Sequence, residues 1–141
     1  FVMKDVNEVL CELGIEEPAG LPVRVAYHDP CHLLRGQGVS RQPRALIGQV
    51  AELVELPVKC CGAGGGTRSG QPEVSKALAA KKVEEIEQAG VEWVISSCPF
   101  CEFHIGEHSK RPVKNVTTLL LEGYRRKDRD RGGEAGESAA A

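Results

Sequence analysis

The chain carries six cysteines in 141 residues, at positions 11, 31, 60, 61, 98 and 101. Five of them fall in three short segments: His28-Asp-Pro-Cys31-His32, Lys59-Cys60-Cys61-Gly62-Ala-Gly-Gly-Gly66 and Ser96-Ser-Cys98-Pro-Phe-Cys101. The spacers are 28 residues between Cys31 and Cys60 and 36 between Cys61 and Cys98. Soft thiolates select zinc, copper(I) or iron–sulfur centres, and four or more that converge favour zinc or an iron–sulfur cluster over a lone catalytic thiol. Cysteines serving only as core filler would not gather in turns flanked by Gly and Pro. The adjacent pair narrows the chemistry further. Consecutive side chains of extended backbone point to opposite sides, so Cys60 and Cys61 share one tetrahedral ion poorly but can reach different irons of a larger cluster. The run from Gly62 to Gly66 can bring bare backbone N–H groups close to sulfides and thiolates. It is not a nucleotide loop, because it lacks the Lys-Ser/Thr end and no strict G-x-G-x-x-G can be laid on it.

Taken alone, Cys98-Pro-Phe-Cys101 resembles a glutaredoxin active site, placed where a helix N-terminus favours thiolate. The glutaredoxin fold, however, has most of its chain downstream of that motif, and here only about 40 residues follow. Cys11 has no cysteine partner at ligand spacing and reads as a small buried or half-buried apolar residue outside the site. His28 and His32 flank Cys31, and His104 and His108 stand at i, i+4. Without a carboxylate at a recognisable spacing, these histidines read as solvent-facing or as supports for the ligands. Asp29 is expected to cap the turn it sits in, and Arg35 and Arg68 to offset cluster or substrate charge.

Composition bounds what the chain can be. Hydrophobic residues are 41% and charged residues 27%, which describes one globular domain and excludes collagen-like, disordered and membrane classes for the chain as a whole. Eighteen Lys and Arg against 20 Asp and Glu leave a net charge of −2, so no basic face is expected and nucleic acid is not an expected partner. No stretch reaches the roughly 20 apolar residues of a transmembrane segment, and no signal peptide opens the chain. Clustered cysteines without such a signal point to a reducing, cytoplasmic compartment, where thiols bind metal or do redox chemistry. Attachment to a membrane complex is compatible with this.

Hydrophobic periodicity predicts helices over 3–13, 43–50, 72–89, 102–108 and 117–127. The clearest, Pro72 to Ala89, has Pro in its first turn, apolar positions at Val74, Leu78, Val83 and Ile86, and Gly90 as its stop. Strands are predicted over 23–27, 52–56, 91–95 and 113–116. The alternation predicts an α/β domain with a mostly parallel sheet flanked by helices, the cysteine loops converging at the carboxyl ends of the strands. Residues 128–141, almost all Gly, Ala and charge, read as a disordered tail following a domain of residues 1–127.

The strings "YHDPCHLLRGQGV", "CCGAGGG" and "SSCPFC" together resemble the CCG (cysteine-rich) domain of the B and D components of heterodisulfide reductase, shared with iron–sulfur subunits of glycolate and lactate oxidation systems. The likeness covers about residues 23–122. It implies that Cys31, Cys60, Cys61, Cys98 and Cys101 bind a non-cubane 4Fe-4S cluster, or that four of them hold zinc. The first spacer is slightly shorter than the family's usual one. Members commonly have two such copies, so a single copy beginning at Phe1 rather than Met reads as the C-terminal copy of a longer protein. Both cysteines of the last pair are present, which tilts the likeness toward the heterodisulfide-reductase branch. The implied function is an iron–sulfur redox domain that passes electrons to, or reduces, a disulfide. Its implied partners are other iron–sulfur or flavin subunits and a small thiol/disulfide or hydroxy-acid substrate. A zinc-binding assembly or interaction module of a larger oxidoreductase, an iron–sulfur subunit of a glycolate/lactate dehydrogenase complex and a thiol–disulfide oxidoreductase using Cys98 and Cys101 alone are the competing readings; no catalytic residue is assigned.

Overall fold

Residues 1–139 are described by the computed structural model, which has four strands, β1 (Arg24–His28), β2 (Glu52–Glu55), β3 (Trp93–Ser96) and β4 (Val113–Asn115). They form one sheet in the order β2-β1-β3-β4, and every pair is parallel. Parallel neighbours require crossovers, and these are supplied by α2 (Arg41–Gly48), α4 (Pro72–Ala89) and α5 (Pro99–His108), with α1 (Val6–Leu13) and α6 (Val116–Ala139) at the two ends. The protein is therefore an α/β domain, as its alternating pattern predicts.

Both faces of the sheet are covered. The two-residue period of β1 sends Val25 and Tyr27 into one apolar cluster with Leu46, Ile47, Ile95 and Leu119. It sends Ala26 into the opposite cluster, with Ile86, Val94, Ile105, Cys61 and Cys101. The β1 and β3 core positions Val25, Ala26, Val94 and Ile95 are fully buried, as expected of central parallel strands. Since β1 is paired with β2 on one side and β3 on the other, the chain leaves it in opposite directions, and the crevice of a doubly wound sheet opens at the carboxyl ends of β1 and β3.

Element limits differ from those predicted where local chemistry overrides periodicity. Helix α1 starts only at Val6 because Asp5 caps it: its carboxylate accepts from the Asn7 N–H while the Glu8 carboxylate accepts from the Asp5 N–H. Its Val6, Val9 and Leu13 stay exposed, Asn7 is buried, and Leu10 packs against the core. A π-helical turn, His32–Gly36, follows Cys31, and a short helix α3, Thr67–Gly70, follows the glycine run; neither is predicted. Strand β3 begins two residues later than expected, with Val91 buried ahead of it. Helix α4 has the predicted ends, with Gly90 in the left-handed region at φ 60°, but its buried face is Ser75, Ala79, Lys82 and Ile86, and Val74 is exposed. Helix α6 runs on to Ala139, through positions where a tail without structure is predicted. Lys127 and Arg131 on it both reach Glu16, at 2.8 and 3.1 Å, contacts that no local sequence pattern encodes. Residues 140–141 of that predicted tail lie outside the described residues. No helix among the described residues is long and apolar enough to cross a membrane.

Candidate metal centre

Each of the three cysteine segments is the direct continuation of a strand. Cys31 follows β1 by way of Asp29-Pro30, Cys60 and Cys61 come five residues after β2 ends, and Cys98 lies two residues past β3. Because the strands are parallel, all three segments emerge on one edge of the sheet. There they enclose a cavity of about 290 Å³ lined by Cys31, Cys60, Cys61, Cys98 and Cys101, with His32, Phe100 and the Ala63–Gly65 backbone. Thus the five cysteines singled out by their spacing meet in one place, and none is disulfide-bonded. Cys11 lies elsewhere. Contrary to the expectation of a buried or half-buried residue it is exposed, its thiol 3.7 Å from the Gln42 carbonyl, because α1 turns that side of its surface outward.

The glycine after the vicinal pair is required sterically. Gly62 has φ 91°, and a Cβ there would lie 2.7 Å from the Ser75 carbonyl oxygen and 2.9 Å from Leu78 Cβ. The loop is pressed against the first turns of α4, which turns Cys61 inward while Cys60 stays exposed. The Gly62 N–H donates back to Cys60 Sγ at 3.3 Å, a direct example of backbone N–H serving a thiolate in this run. The loop is held from the other side by Lys82, a fully buried residue that donates to the Pro57 carbonyl at 3.0 Å and pairs with Glu85 at 2.7 Å. Cys98 is the N-cap residue of α5 in extended conformation, and Pro99 in the first turn sets the helix so that Cys101 points into the cavity wall.

The two buried sulfurs are electrostatically coupled. Cys61 and Cys101 Sγ lie 3.5 Å apart. The Cys61 thiol is held well below its ordinary pKa by its hydrogen bond with Cys101, against the effect of burial and with further help from His28 and the Ala63 N–H. Cys101 is pushed up by its bond to Cys61, by burial and by the Cys61 charge. Two thiolates this close and buried oppose one another, and a cation bound between them would relieve that opposition. Nearer the surface, burial raises the Cys31 thiol, with Cys60 and then Cys61 adding to it and Arg35 opposing. An apolar-walled cavity with five convergent sulfurs, among whose lining residues there is no Lys or Arg, fits a thiolate-bound metal cluster. This geometry also disfavours the glutaredoxin-like reading, since the first partner of Cys101 is Cys61.

The other candidates fall differently from expectation. Asp29 does not cap its turn; its carboxylate takes a bidentate pair from Arg44 at 2.8 and 2.7 Å, and Arg44 stacks over Tyr27, which ties the β1 exit to α2. Arg68 does not face the cysteines. It bonds His104 Nδ1 at 2.8 Å and the Glu107 carboxylate, and lies over Phe103, fastening α3 to α5. His104, expected at the solvent or beside a ligand, is buried and also meets Ser75 Oγ at 3.3 Å. Although His104, Glu107 and His108 stand close enough to bind an ion, the Arg68 guanidinium already occupies their shared carboxylate, so these residues form a structural clamp. His32 is exposed at the cavity, whereas His28 is buried against Cys61 and Cys101; a ring nitrogen and the two sulfurs all lie within 4.8 Å of one another. Of the two roles expected for His28, at the solvent or beside the cysteines, its burial excludes the first, and β1 alternation puts it on the same face as Ala26, the face that holds Cys61 and Cys101.

A parallel α/β sheet that delivers five cysteines from three strand ends into one cavity defines a cysteine-rich, metal-binding class of domain. The family model described as "Cysteine-rich domain" (CCG) matches residues 25–106, and the chain belongs to that family. It is 44% identical over 133 residues to an uncharacterized iron-sulfur protein of Methanocaldococcus jannaschii, covering 85% of this chain and 27% of that protein. It is 42% identical over 132 residues to a fumarate reductase (CoM/CoB) subunit of Methanothermobacter marburgensis, with the same coverage of 85% and 27%. With a dihydromethanophenazine:CoB–CoM heterodisulfide reductase subunit of Methanosarcina barkeri it shares 33% identity over 110 residues, 70% of this chain and 27% of that protein. The chain spans about a quarter of the length of these relatives.

Proposed function

We propose that this chain is the iron–sulfur redox domain of a heterodisulfide-reductase-like oxidoreductase, with Cys31, Cys60, Cys61, Cys98 and Cys101 holding a 4Fe-4S cluster of the non-cubane kind. The observation that carries the reading is the gathering of all five thiols on one cavity, the vicinal pair divided so that Cys61 is buried and Cys60 exposed. When bound, the cluster supplies one-electron chemistry at a solvent-reachable site, suited to passing electrons to a disulfide. The chain's own part is binding and orientation. Gly62 and Lys82 fix the loop, the Gly62 N–H serves the Cys60 sulfur, and the apolar wall around Cys61 and Cys101 keeps water from the inner ligands. Relatives with CoM and CoB in their names, one of them a heterodisulfide reductase subunit, support a thiol/disulfide couple as the substrate class, and relatives named lactate utilization protein A support a hydroxy acid as the alternative. The electron donors would be other iron–sulfur or flavin subunits of the complex, in a reducing, cytoplasmic setting.

Anaerobic reconstitution with iron and sulfide tests this. The expected result is about four irons with matching sulfide per chain, visible absorption that bleaches on reduction, and an electron paramagnetic resonance signal that responds to added thiol or disulfide. One tightly bound zinc with no iron uptake under the same conditions would overturn it. The zinc module remains the second reading because His28, Cys61 and Cys101 place three donor atoms within 4.8 Å, close enough for one ion.

A further inference from the structure

His28 is 2% exposed, and its Nε2 atom is buried with no hydrogen-bond partner among the described residues. An unpaired ring nitrogen in an apolar wall is unfavourable, and native structures keep such a group only when something completes it. Sulfur lies close to the ring: one of its nitrogens and the Cys61 and Cys101 sulfurs all lie within 4.8 Å of one another, on the face of β1 that holds both cysteines. The main chain that carries the ring is fixed, because His28 is in register with Ser96 of β3 and its carbonyl accepts from the Ser96 hydroxyl at 3.2 Å. A nitrogen held this way beside two sulfurs can act as a metal ligand or as an N–H donor to a thiolate. Five cysteines already supply the ligands the site needs. The thiolate form of Cys61, by contrast, is a charged acceptor with a buried donor beside it.

We propose that His28 is a sixth protein group of the metal centre and is not a ligand: its Nε2–H donates to the Cys61 sulfur, positioning that ligand and raising the reduction potential of the bound cluster. This rests on the iron–sulfur reading above. The physical basis is that an N–H···S hydrogen bond withdraws electron density from the thiolate and so favours the more negative, reduced state. His28 is therefore a positioning residue, and its effect is expected in the potential rather than in the metal count.

Two measurements test it. In the first, wild type, His28→Leu and His28→Gln are reconstituted anaerobically, assayed for iron and sulfide, and titrated for midpoint potential. The proposal expects equal iron in all three, a lower potential for H28L, and partial recovery for H28Q, whose amide keeps an N–H. Equal potentials at equal iron content would overturn it, and so would loss of iron from a folded H28L, which would make His28 a ligand. The second uses wild-type protein with ¹⁵N-labelled histidine and bound ¹¹³Cd, and needs neither a substitution nor iron. A small coupling between ¹¹³Cd and the His28 ring N–H proton, passed through sulfur, is expected; a direct nitrogen–cadmium splitting, or no coupling, would overturn the proposal. Failure of wild type to take up iron sinks the iron–sulfur reading instead, and the cadmium experiment still decides the part played by His28.

Discussion

At the scale of single residues, the five cavity cysteines and the outlying one make opposite predictions. Cys31→Ser, Cys61→Ser and Cys98→Ser should each lose or convert the cluster, because a hydroxyl is a poor soft ligand; absorbance and iron content of the reconstituted variants check this. Cys11→Ser should retain full iron and change stability by roughly 0–2 kcal/mol, as an exposed position does. Were the Cys98/Cys101 dithiol acting alone, Cys31, Cys60 and Cys61 would be dispensable for disulfide reduction, so the same set of variants separates the two chemistries. Gly62→Ala tests the loop without touching a ligand. The left-handed backbone and the contact with the Ser75 carbonyl both oppose a methyl group, so a loss of at least ~1–2 kcal/mol is expected in denaturant melts, accompanied by slower cluster assembly.

Elements hold the loops through a few polar contacts on faces that hydropathy would assign to apolar side chains. Helix α4 presents Ser75 and Lys82 to the interior, the first to His104 and the second to the Pro57 carbonyl and Glu85. Lys82→Met keeps the apolar stem but leaves that carbonyl without its donor, so it should cost on the order of 1–3 kcal/mol and raise hydrogen exchange in the loop preceding Cys60. The same contact predicts a pH dependence. Burial acts to raise the Glu85 carboxyl, but hydrogen bonds from Lys59 and Lys82 outweigh it and hold the carboxyl below its ordinary value. A carboxyl depressed in the folded state contributes stability that is complete above its unfolded pKa, about 4.3, and is lost as pH falls through the folded value. Thermal melts of wild type and Glu85→Gln should therefore differ most above about pH 5 and converge in acid. A constant gap down to strongly acidic pH would contradict this assignment.

For the molecule as a whole, a metal bound as proposed would belong to the stability of one edge of the sheet. Three strand ends bring the five cysteines together, so a metal on them would bind only the assembled site and would stabilise it over its open forms. Removing the metal should loosen residues 57–71 and 96–104 well before α4; equal hydrogen-exchange protection of those segments with and without metal would count against it. Much of this was legible in the order of residues. Thiol chemistry follows from residue type, and the adjacent Cys60 and Cys61 with their glycines mark a ligand loop at any fold. The alternation of β-prone and helical segments fixes a parallel sheet, because parallel neighbours need helical crossovers, and the cysteines placed just after β1 and β3 then have to meet at one edge. Long-range partners were not legible. That Arg68 serves Glu107 and His104 rather than the cysteines, that Glu16 holds α6 beyond Lys127, that α4 buries Lys82 and exposes Val74, and that His28 lies against Cys61 and Cys101 all depend on which faces come together across tens of residues. Local periodicity can say that two residues share a face, but the partner of that face is chosen by the packing of the whole sheet, where burial and charge pairing are settled jointly.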